Sequence, residues 1–327
     1  MSRIFMDGFE SGDFGLWTSV SGSVTISTYA GKTGNYCINF SSNISNIEFQ
    51  LPVAKTELYV ALKLIIGATP IATRRIIGFY NGTTCLGVIA GDSDFKIRAF
   101  NGSTAGTLLG ISTKTASAWS LIEIRYIPHL TSGTFTVKIN GITDIDISGI
   151  ATAPSTSTIT AIKLLPESTN LSGYIDDVII DDANWIGPSS IQGLAVTGAG
   201  ATTQFDPSTG SNYACIDEIP SSDADYISTN VANEIDTYAC GDLTGTINSI
   251  KAVQVQARCM QEGSPAVPKI QLVTRPTSTD RVSASKDVQT FSPGVVNNIW
   301  ELNPDDSAAW ESADVNGMEI GVKAVAS

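Results

Sequence analysis

Two pairs of neighbouring acids lie in one short stretch, Tyr174–Asp182, and paired carboxylates are the side chains of this chain best suited to chemistry. Such pairs can act as general acid and base on a glycosidic bond, or as oxygen ligands for a hard cation. Between them, Val178–Ile180 is β-branched throughout, which predicts a strand. Neighbouring residues of a strand point to opposite faces, so Asp176 and Asp177 are not expected to form a catalytic pair.

The sequence contains few residues or motifs for other kinds of catalysis. His129 is the only histidine, which excludes mechanisms that need two imidazoles and leaves one candidate for a Ser-His-acid set. It follows Pro128 in a turn-like stretch, where an ordinary loop histidine is the simpler interpretation. The chain has no G-x-S-x-G elbow, Walker loop or Rossmann glycine fingerprint. The sequence therefore predicts a protein that is not an enzyme, with no catalytic residues and no required cofactor.

The composition predicts an all-β protein. Among 327 residues there are 29 Gly and 13 Pro, only 16% are charged, and few windows could form a long helix. A mass of 34.4 kDa allows two domains, each with its own core. We expect an antiparallel jelly-roll sandwich followed by a second, β-sandwich-like domain.

Alternation of apolar and polar residues marks the individual strands. Trp119–Tyr126 and Phe135–Ile139 each present one apolar and one polar face, and Asn140-Gly141 predicts a tight hairpin turn. The other strands predicted in the first half are Ser23–Thr28, Tyr36–Phe40, Ile47–Leu51, Leu58–Ile66, Arg75–Tyr80, Cys85–Ala90, Phe95–Phe100, Thr160–Leu165 and the acidic stretch. In the second half they are Asp223–Ile227, Asp236–Cys240, Ile250–Arg258 with Lys269–Thr274 as its neighbour, and Gly321–Val325, with a helical turn capped by Ser312 or Asp314 within 310–319.

A domain boundary is predicted at Gly187-Pro188, which gives domains 1–187 and 188–327. The charge balance changes there: the first part has 12 Lys/Arg and 15 Asp/Glu, a net of −3, and the second has 7 and 17, a net of −10. A chain this acidic repels phosphate backbones, so nucleic acid is not an expected partner. The sequence starts without the pattern of a secretory signal and has no apolar run long enough for membrane insertion.

The five cysteines and five tryptophans are interpreted mainly as structural. The cysteines form no CxxC pair, which argues against a metal site and favours buried free thiols, although Cys215 and Cys240 could pair outside a cell. Trp119 and Trp300 flank apolar segments and are expected in the core. Exposed Trp or Tyr would instead offer a surface on which sugar rings stack.

The first half resembles concanavalin A-like, laminin-G-like jelly rolls. The resemblance lies in the order of Trp119–Tyr126, Phe135–Ile142, Ile162–Leu165 and Tyr174–Asp181, with the opening Asp7–Glu10 similar to the first strand of that family. It covers roughly residues 1–187. In such jelly rolls the N-terminal loop lies beside the last strand, so Asp7, Glu10 and Asp177 are the expected ligands if a structural calcium ion is bound. The alternative is that these acids cap turns or pair with Lys and Arg.

The second half looks like a module of tailed-bacteriophage structural proteins. The matching segments are Thr203–Asp217, Asp236–Ala239, Ile250–Ala257, Trp300–Asp305 and Gly321–Ala324. This resemblance implies a virion component assembled in the host cytoplasm: a surface decoration or fibre protein of head, neck or tail. Its expected partners are other capsid, neck or tail proteins and copies of itself, with a trimer as the expected order. The alternative function is a glycan-binding host-attachment module, and a more distant one is a glycoside hydrolase or lyase.

Overall fold

The computed structural model describes residues 2–29, 34–67, 73–155, 158–165, 171–263 and 267–326, except the side chains of 41–44. The fold is all-β, as the composition predicts, with one short α-helix among the described residues. The chain forms two compact units: the first unit comprises Met1–Glu10 and Trp17–Ile191, and the second unit comprises Ser11–Leu16 and Gln192–Ser327. The described residues include no helix of the length and apolarity that a membrane span requires.

The first unit is built from one antiparallel sheet of thirteen strands. Its main path runs β11-β10-β9-β4-β13-β3-β12-β5-β6-β7-β8, with β1 beside β13 and β2 beside β3. The strands are β1 Arg3–Asp7, β2 Ser19–Ser27, β3 Cys37–Lys55, β4 Leu58–Ile66, β5 Arg74–Asn81, β6 Thr84–Gly91, β7 Lys96–Asn101, β8 Thr107–Thr115, β9 Ser120–Ile127, β10 Gly133–Ile139, β11 Ile142–Ile150, β12 Ile159–Leu164 and β13 Gly173–Asp181.

The sheet curls on itself, and β3 carries the chain around the bend. The first residues of β3 pair with β13, and its later residues pair with β12 on the other side. The two end strands, β8 and β11, meet: the Asp144 carboxylate of β11 accepts hydrogen bonds from the backbone N–H groups of Thr113 and Lys114 of β8, both at 2.9 Å. The result is a sandwich that is nearly a closed barrel, which leaves few unpaired sheet edges.

The core of the first unit lies between the facing parts of this sheet. Phe79 of β5 packs against Tyr126 of β9 and Phe135 of β10, with ring centroids 4.5 and 6.2 Å apart. All three are fully buried. Burial of Tyr126 raises the pKa of its hydroxyl, which donates a hydrogen bond to the carbonyl oxygen of Thr152. Rings contributed by distant strands thus lock the two sides of the sandwich together.

Most predicted strands of this unit occur near their predicted positions, and the exceptions have identifiable causes. Tyr36–Phe40 and Ile47–Leu51 lie largely within one long strand, β3, in which Ser45 and Asn46 between them also pair with β2. Thr107–Thr115 was not predicted as a strand. Its Leu108, Leu109 and Ile111 do not alternate cleanly with polar residues, and Leu108 and Ile111 are both exposed in the structure.

The second unit combines a sheet with a separate hairpin. The sheet runs β14-β17-β23-β19-β20, with β21 also paired to β19, while β18 pairs with β22 and β15 with β16. The elements are β14 Val196–Thr203, β15 Asp206–Pro207, a 3₁₀ helix Asn212–Cys215, β16 Ile227–Ser228, β17 Ile235–Cys240, β18 Val253–Cys259, β19 Lys269–Arg275, β20 Arg281–Val282, β21 Lys286–Asp287, β22 Gly294–Trp300, α1 Ser312–Asn316 and β23 Glu319–Val325. Its core gathers around Val253, Trp310, Val315 and Met318.

Three predictions for the second unit need correction. Lys269–Thr274 does not pair with the strand before it, because β18 pairs with β22 and β19 pairs with β23. Of Asp223–Ile227 only the last residue is in a strand. The predicted helical turn exists, but its N-cap is Glu311, and Asp314 completes the capping box by accepting the Glu311 N–H at 2.8 Å.

Candidate functional site

The acidic strand β13 contains a bulge at its first pair of acids. Asp176 lies opposite Lys63 of β4 and Ile179 lies opposite Ala61, so Asp177 and Val178 together face a single residue of β4. Asp177 adopts a left-handed conformation with φ of 51°, which is uncommon for a residue other than glycine. The simple alternation expected from the sequence therefore fails here, and both acids are buried.

The two acids of the bulge are engaged by hydrogen-bond donors and a cation. Asp176 Oδ1 accepts the backbone N–H of Asp177 at 2.7 Å. Asp177 Oδ1 accepts the N–H of Ile191 at 2.7 Å, and its Oδ2 lies 2.8 Å from Lys63 Nζ as an ion pair without directed hydrogen-bond geometry. These contacts offset the cost of burying the carboxylates and of the strained backbone.

Further carboxylates hold the chain that follows β13, residues 182–191, which we call the boundary segment. Asp181 Oδ1 accepts the N–H groups of Ala183 and Asn184 at 2.8 and 3.0 Å, and Glu123 of β9 accepts that of Gly187 at 2.8 Å. With Asp177 on Ile191, three buried acids satisfy four backbone donors of one irregular segment. Asp181 is only 2% exposed, and its Oδ2 also lies 3.3 Å from Arg3 Nε.

The expected calcium ligands Asp7 and Glu10 also hold backbone. Asp7 accepts the Phe9 N–H and the Trp17 indole N–H, both at 2.7 Å. Glu10 accepts the N–H groups of Asn35 and Tyr36 at 2.9 and 3.0 Å, and it approaches Gly34 so closely that a Cβ there would lie 2.4 Å from Oε1. Each acid thus fixes a turn, which is the alternative weighed for them from the sequence.

The structure does not gather Asp7, Glu10 and Asp177 into one ligand set. Across the described ranges no group of three or more His, Cys, Asp or Glu side chains is placed to hold a metal ion. His129 lies in a turn, where its Nδ1 accepts the backbone N–H groups of Thr131 and Ser132 at 3.1 and 3.0 Å. Calcium binding by the three acids stays a prediction, which melting curves with and without chelator check.

A cluster of three aromatic side chains lies at the surface of the first unit; we call it the aromatic platform. Tyr29 stacks on Tyr174 with centroids 3.9 Å apart and planes 13° from parallel, and Trp119 lies 6.5 and 6.4 Å from them. Tyr29 is 40% exposed, while Trp119 and Tyr174 are half-buried. Burial, and then the neighbouring Tyr29 and Cys37, raise the pKa of Tyr174. The Trp119 indole N–H is enclosed and has no acceptor among the described residues.

The sheet supplies a row of side chains around the platform. Tyr174 of β13 lies opposite Asn39 of β3 on one side and Ile65 of β4 on the other, and Asn39 lies opposite Thr25 of β2. Residues directly opposite in an antiparallel pair share a face, so these side chains form one line across four strands. Trp119 immediately precedes β9, the next strand of the sheet. The platform therefore stands on a rigid sheet with amide and hydroxyl groups beside it.

The sequence does not indicate this cluster. Tyr29 lies beyond the end of a predicted strand, Trp119 is expected in the core, and Tyr174 begins the acidic stretch. Trp119 is only half-buried, and its ring also lies beside the two tyrosines. The expectation that it belongs to the core is therefore only partly met. Three residues so far apart in sequence become neighbours through the pairing of β2, β3, β13, β4 and β9.

Asp236 of β17 is a concentrated polar centre among the described residues of the second unit. It is fully buried and accepts the N–H groups of Gln204 and Phe205, the latter at 2.8 Å. The Asn212 amide and the Tyr238 hydroxyl also donate to it, at 2.5 and 2.7 Å. Burial, and then Asp236, raise the pKa of Tyr238. With four donors around one carboxylate, this centre holds loop to strand and shows no open position for a substrate.

No protein-family model matches the chain, and no curated protein matches it in sequence. Solved structures that are similar include a cellulose-induced protein, Cip1, with a TM-score of 0.45 and 16% identity over 57% of this chain and 100% of that chain. A carbohydrate esterase from the Shiga toxin-encoding bacteriophage phi24B has a TM-score of 0.42 and 13% identity over 56% and 99%. The CBM2 module of the evolved Dit of Lactobacillus casei BL23 phage J-1 has a TM-score of 0.38 and 9% identity over 56% of this chain and 97% of that chain.

Of these three structures, one is named as a carbohydrate esterase and one as a CBM2 module, and both of these come from phages. At these TM-scores and identities the likeness carries no conclusion about what this chain does.

Proposed function

We propose that this protein is a non-enzymatic carbohydrate-binding protein whose binding surface is the aromatic platform of the first unit. The observation that carries the proposal is the stack of Tyr29 on Tyr174 beside Trp119. An aromatic ring presents an apolar face with a polar edge, which suits the C–H face of a sugar ring and its hydroxyls. Because Tyr29 stacks on Tyr174, the exposed ring of Tyr29 is held in place and loses little conformational freedom on binding.

The Trp119 indole supports the same assignment. A buried N–H without an acceptor costs roughly 1–3 kcal/mol. A small rotation of this half-buried side chain toward a ligand hydroxyl would recover that free energy. Carbohydrate is rich in such acceptors, whereas a purely apolar partner would leave the indole unsatisfied.

A binding role is favoured over hydrolysis or lyase chemistry by the state of the acids. The buried carboxylates of β13 accept backbone N–H groups or pair with lysine and arginine. A general acid or base must instead face a substrate position within hydrogen-bond distance. His129 is likewise occupied by its own turn.

The second candidate function is a structural component of a phage virion, a decoration or fibre protein of head, neck or tail. The resemblance of Thr203–Asp217, Trp300–Asp305 and the segments between them to phage structural modules favours it. The two roles are compatible, since an attachment protein can be both. If the protein migrates with intact particles and its deletion leaves adsorption unchanged, decoration is the function; loss of adsorption supports host attachment.

The test of carbohydrate binding is a glycan array followed by calorimetry on the best ligand. We expect Tyr29→Ala to weaken binding by about tenfold, which corresponds to roughly 1.4 kcal/mol. The matched control is Tyr226→Ala, which removes a tyrosine of the second unit that is 57% exposed. Equal affinity for wild type and Tyr29→Ala, or an equal loss in both variants, contradicts the proposal. Cleavage of the ligand by the pure protein contradicts its non-enzymatic part.

A further inference from the structure

Lys63, Asp176 and Asp177 form a compact group on the neighbouring strands β4 and β13, which we call the lysine–aspartate triad. Lys63 lies directly opposite Asp176 in the ladder, so their side chains share a face of the sheet. Its Nζ is 2.8 Å from Asp177 Oδ2. The Asp177 and Asp176 side chains are enclosed, while that of Lys63 is 27% exposed. An amine and a carboxyl are thus held in contact, with a second carboxyl beside them.

We propose that Lys63 and Asp177 condense to an amide that covalently joins β4 to β13. The bond would form between Lys63 Nζ and the carboxyl carbon of Asp177, inside one chain. This modification is independent of carbohydrate binding.

The reaction starts with a proton transfer along the 2.8 Å contact, which converts the ion pair into a neutral amine and a neutral carboxyl. The amine nitrogen then attacks the carboxyl carbon. The C–N bond forms as the C–OH bond breaks, and the hydroxyl leaves as water with a proton taken from nitrogen. The net change is one amine plus one carboxylic acid giving one amide plus one water, with no oxidation or reduction.

The surrounding groups are arranged to assist each part of this step. Asp177 Oδ1 accepts the Ile191 N–H at 2.7 Å, so a donor is already on the oxygen that becomes negative in the tetrahedral intermediate. Asp176, which lies opposite Lys63 in the ladder, would carry the proton from the attacking nitrogen to the leaving hydroxyl. The left-handed backbone at Asp177 aims its carboxyl at both partners. Fixed contact of this kind is equivalent to a very high local concentration of reactants.

A second Lys–Asp contact in the same unit provides the comparison. Lys55 Nζ is only 2.6 Å from Asp182 Oδ2, yet these side chains are 28% and 23% exposed. The two lysines are alike in exposure, at 28% and 27%, so the pairs differ in the carboxylate, which is 23% exposed in Asp182 and 2% exposed in Asp177. If distance alone decided the chemistry, Lys55 and Asp182 would react first. We expect Lys63 and Asp177 to react and Lys55 and Asp182 to stay unmodified.

The test is the intact mass of the purified full chain, followed by a tryptic map. We expect a mass lower than the sequence mass by one water, and a branched peptide that joins β4 to β13. Lys55 and Asp182 are expected in ordinary linear peptides. Lys63→Arg keeps the positive charge and should restore the full sequence mass. Asp177→Asn should lose one ammonia instead of one water, because the leaving group changes.

Asp176→Asn tests the proton carrier, and we expect it to slow the loss of water at least tenfold while the protein stays folded. An unmodified mass in wild-type protein after prolonged incubation at neutral pH would overturn the proposal. Loss of water that persists in Lys63→Arg would overturn it too, since the water would then come from a reaction without the amine.

Discussion

Both units bury carboxylates to hold irregular chain against a strand, but they distribute them differently. In the first unit Asp177, Asp181 and Glu123 each hold separate donors along the boundary segment. In the second unit Asp236 alone gathers two backbone N–H groups, an amide and a hydroxyl. Backbone donors removed from water must find acceptors, and a carboxylate is the strongest one available. Distributed acids give independent local attachments, whereas one shared acid makes several contacts depend on a single residue.

The largest expected effect of this difference is on global stability. Asp236→Ala leaves four donors without their acceptor, and each buried donor left unsatisfied costs roughly 1–3 kcal/mol. We expect the free energy of unfolding to fall by about 4 kcal/mol or more, measured by urea denaturation. Glu123→Ala, which releases only the Gly187 N–H, should cost about 1–2 kcal/mol.

The control for this pair is Asp287→Ala, since the Asp287 side chain is 88% exposed and its ion pair with Lys269 should be worth little. Equal losses of unfolding free energy for Asp236→Ala and Glu123→Ala would contradict this difference. They would mean that Asp236 stabilises the second unit no more than Glu123 stabilises the first.

A smaller, local effect is expected at the boundary segment. Asp181→Asn should speed amide hydrogen exchange at Ala183 and Asn184, and Glu123→Gln should speed it at Gly187, because each weakens the acceptor of those amides. Exchange measured residue by residue by NMR distinguishes the two. If either variant loosened every amide from 183 to 191, the attachments would be cooperative and the contrast with Asp236 would fail.

The sequence predicted the strands of the first unit better than the role of its acids. Strand positions follow from alternation of apolar and polar residues, which is a local property, and Leu58–Ile66 is reproduced to the residue. The bulge at Asp177 depends on pairing with β4 and on a donor at Ile191, neither of which is visible locally. The aromatic platform depends on strands far apart in sequence for the same reason. In the second unit, short strands and loops carry weaker alternation, so the partner of β18 was assigned wrongly.

The smallest effects are expected at two matched surface pairs, one in each unit. Arg98 makes two hydrogen bonds to Asp94, and Arg258 makes two to Asp223. Hydrogen bonding from Arg98 lowers the pKa of Asp94 from 3.8 to about 2, and Arg258 lowers the pKa of Asp223. A lowered carboxyl pKa stabilises the fold above the unfolded value near 4, and that contribution is lost as pH falls toward 2.

An NMR titration of the carboxyl carbons checks these two pairs. Arg98→Gln should return the Asp94 titration toward 3.8 with little change in melting temperature at neutral pH, as expected for an exposed pair. Arg258→Gln should do the same for Asp223. An Asp94 that titrates near 4 in the wild-type protein would show that the pair does not persist in solution.

If the aromatic platform of the first unit binds carbohydrate, the signal of the Trp119 indole N–H should report the bound ligand directly. In protein with 15N-labelled tryptophan, titration of a bound glycan should shift the Trp119 indole N–H signal, because the ligand supplies the acceptor that this group lacks in the described structure. The buried Trp17 and Trp310, whose indoles already donate to Asp7 and to the Trp300 carbonyl, should not move. A glycan that binds while the Trp119 signal stays fixed would contradict binding at the aromatic platform.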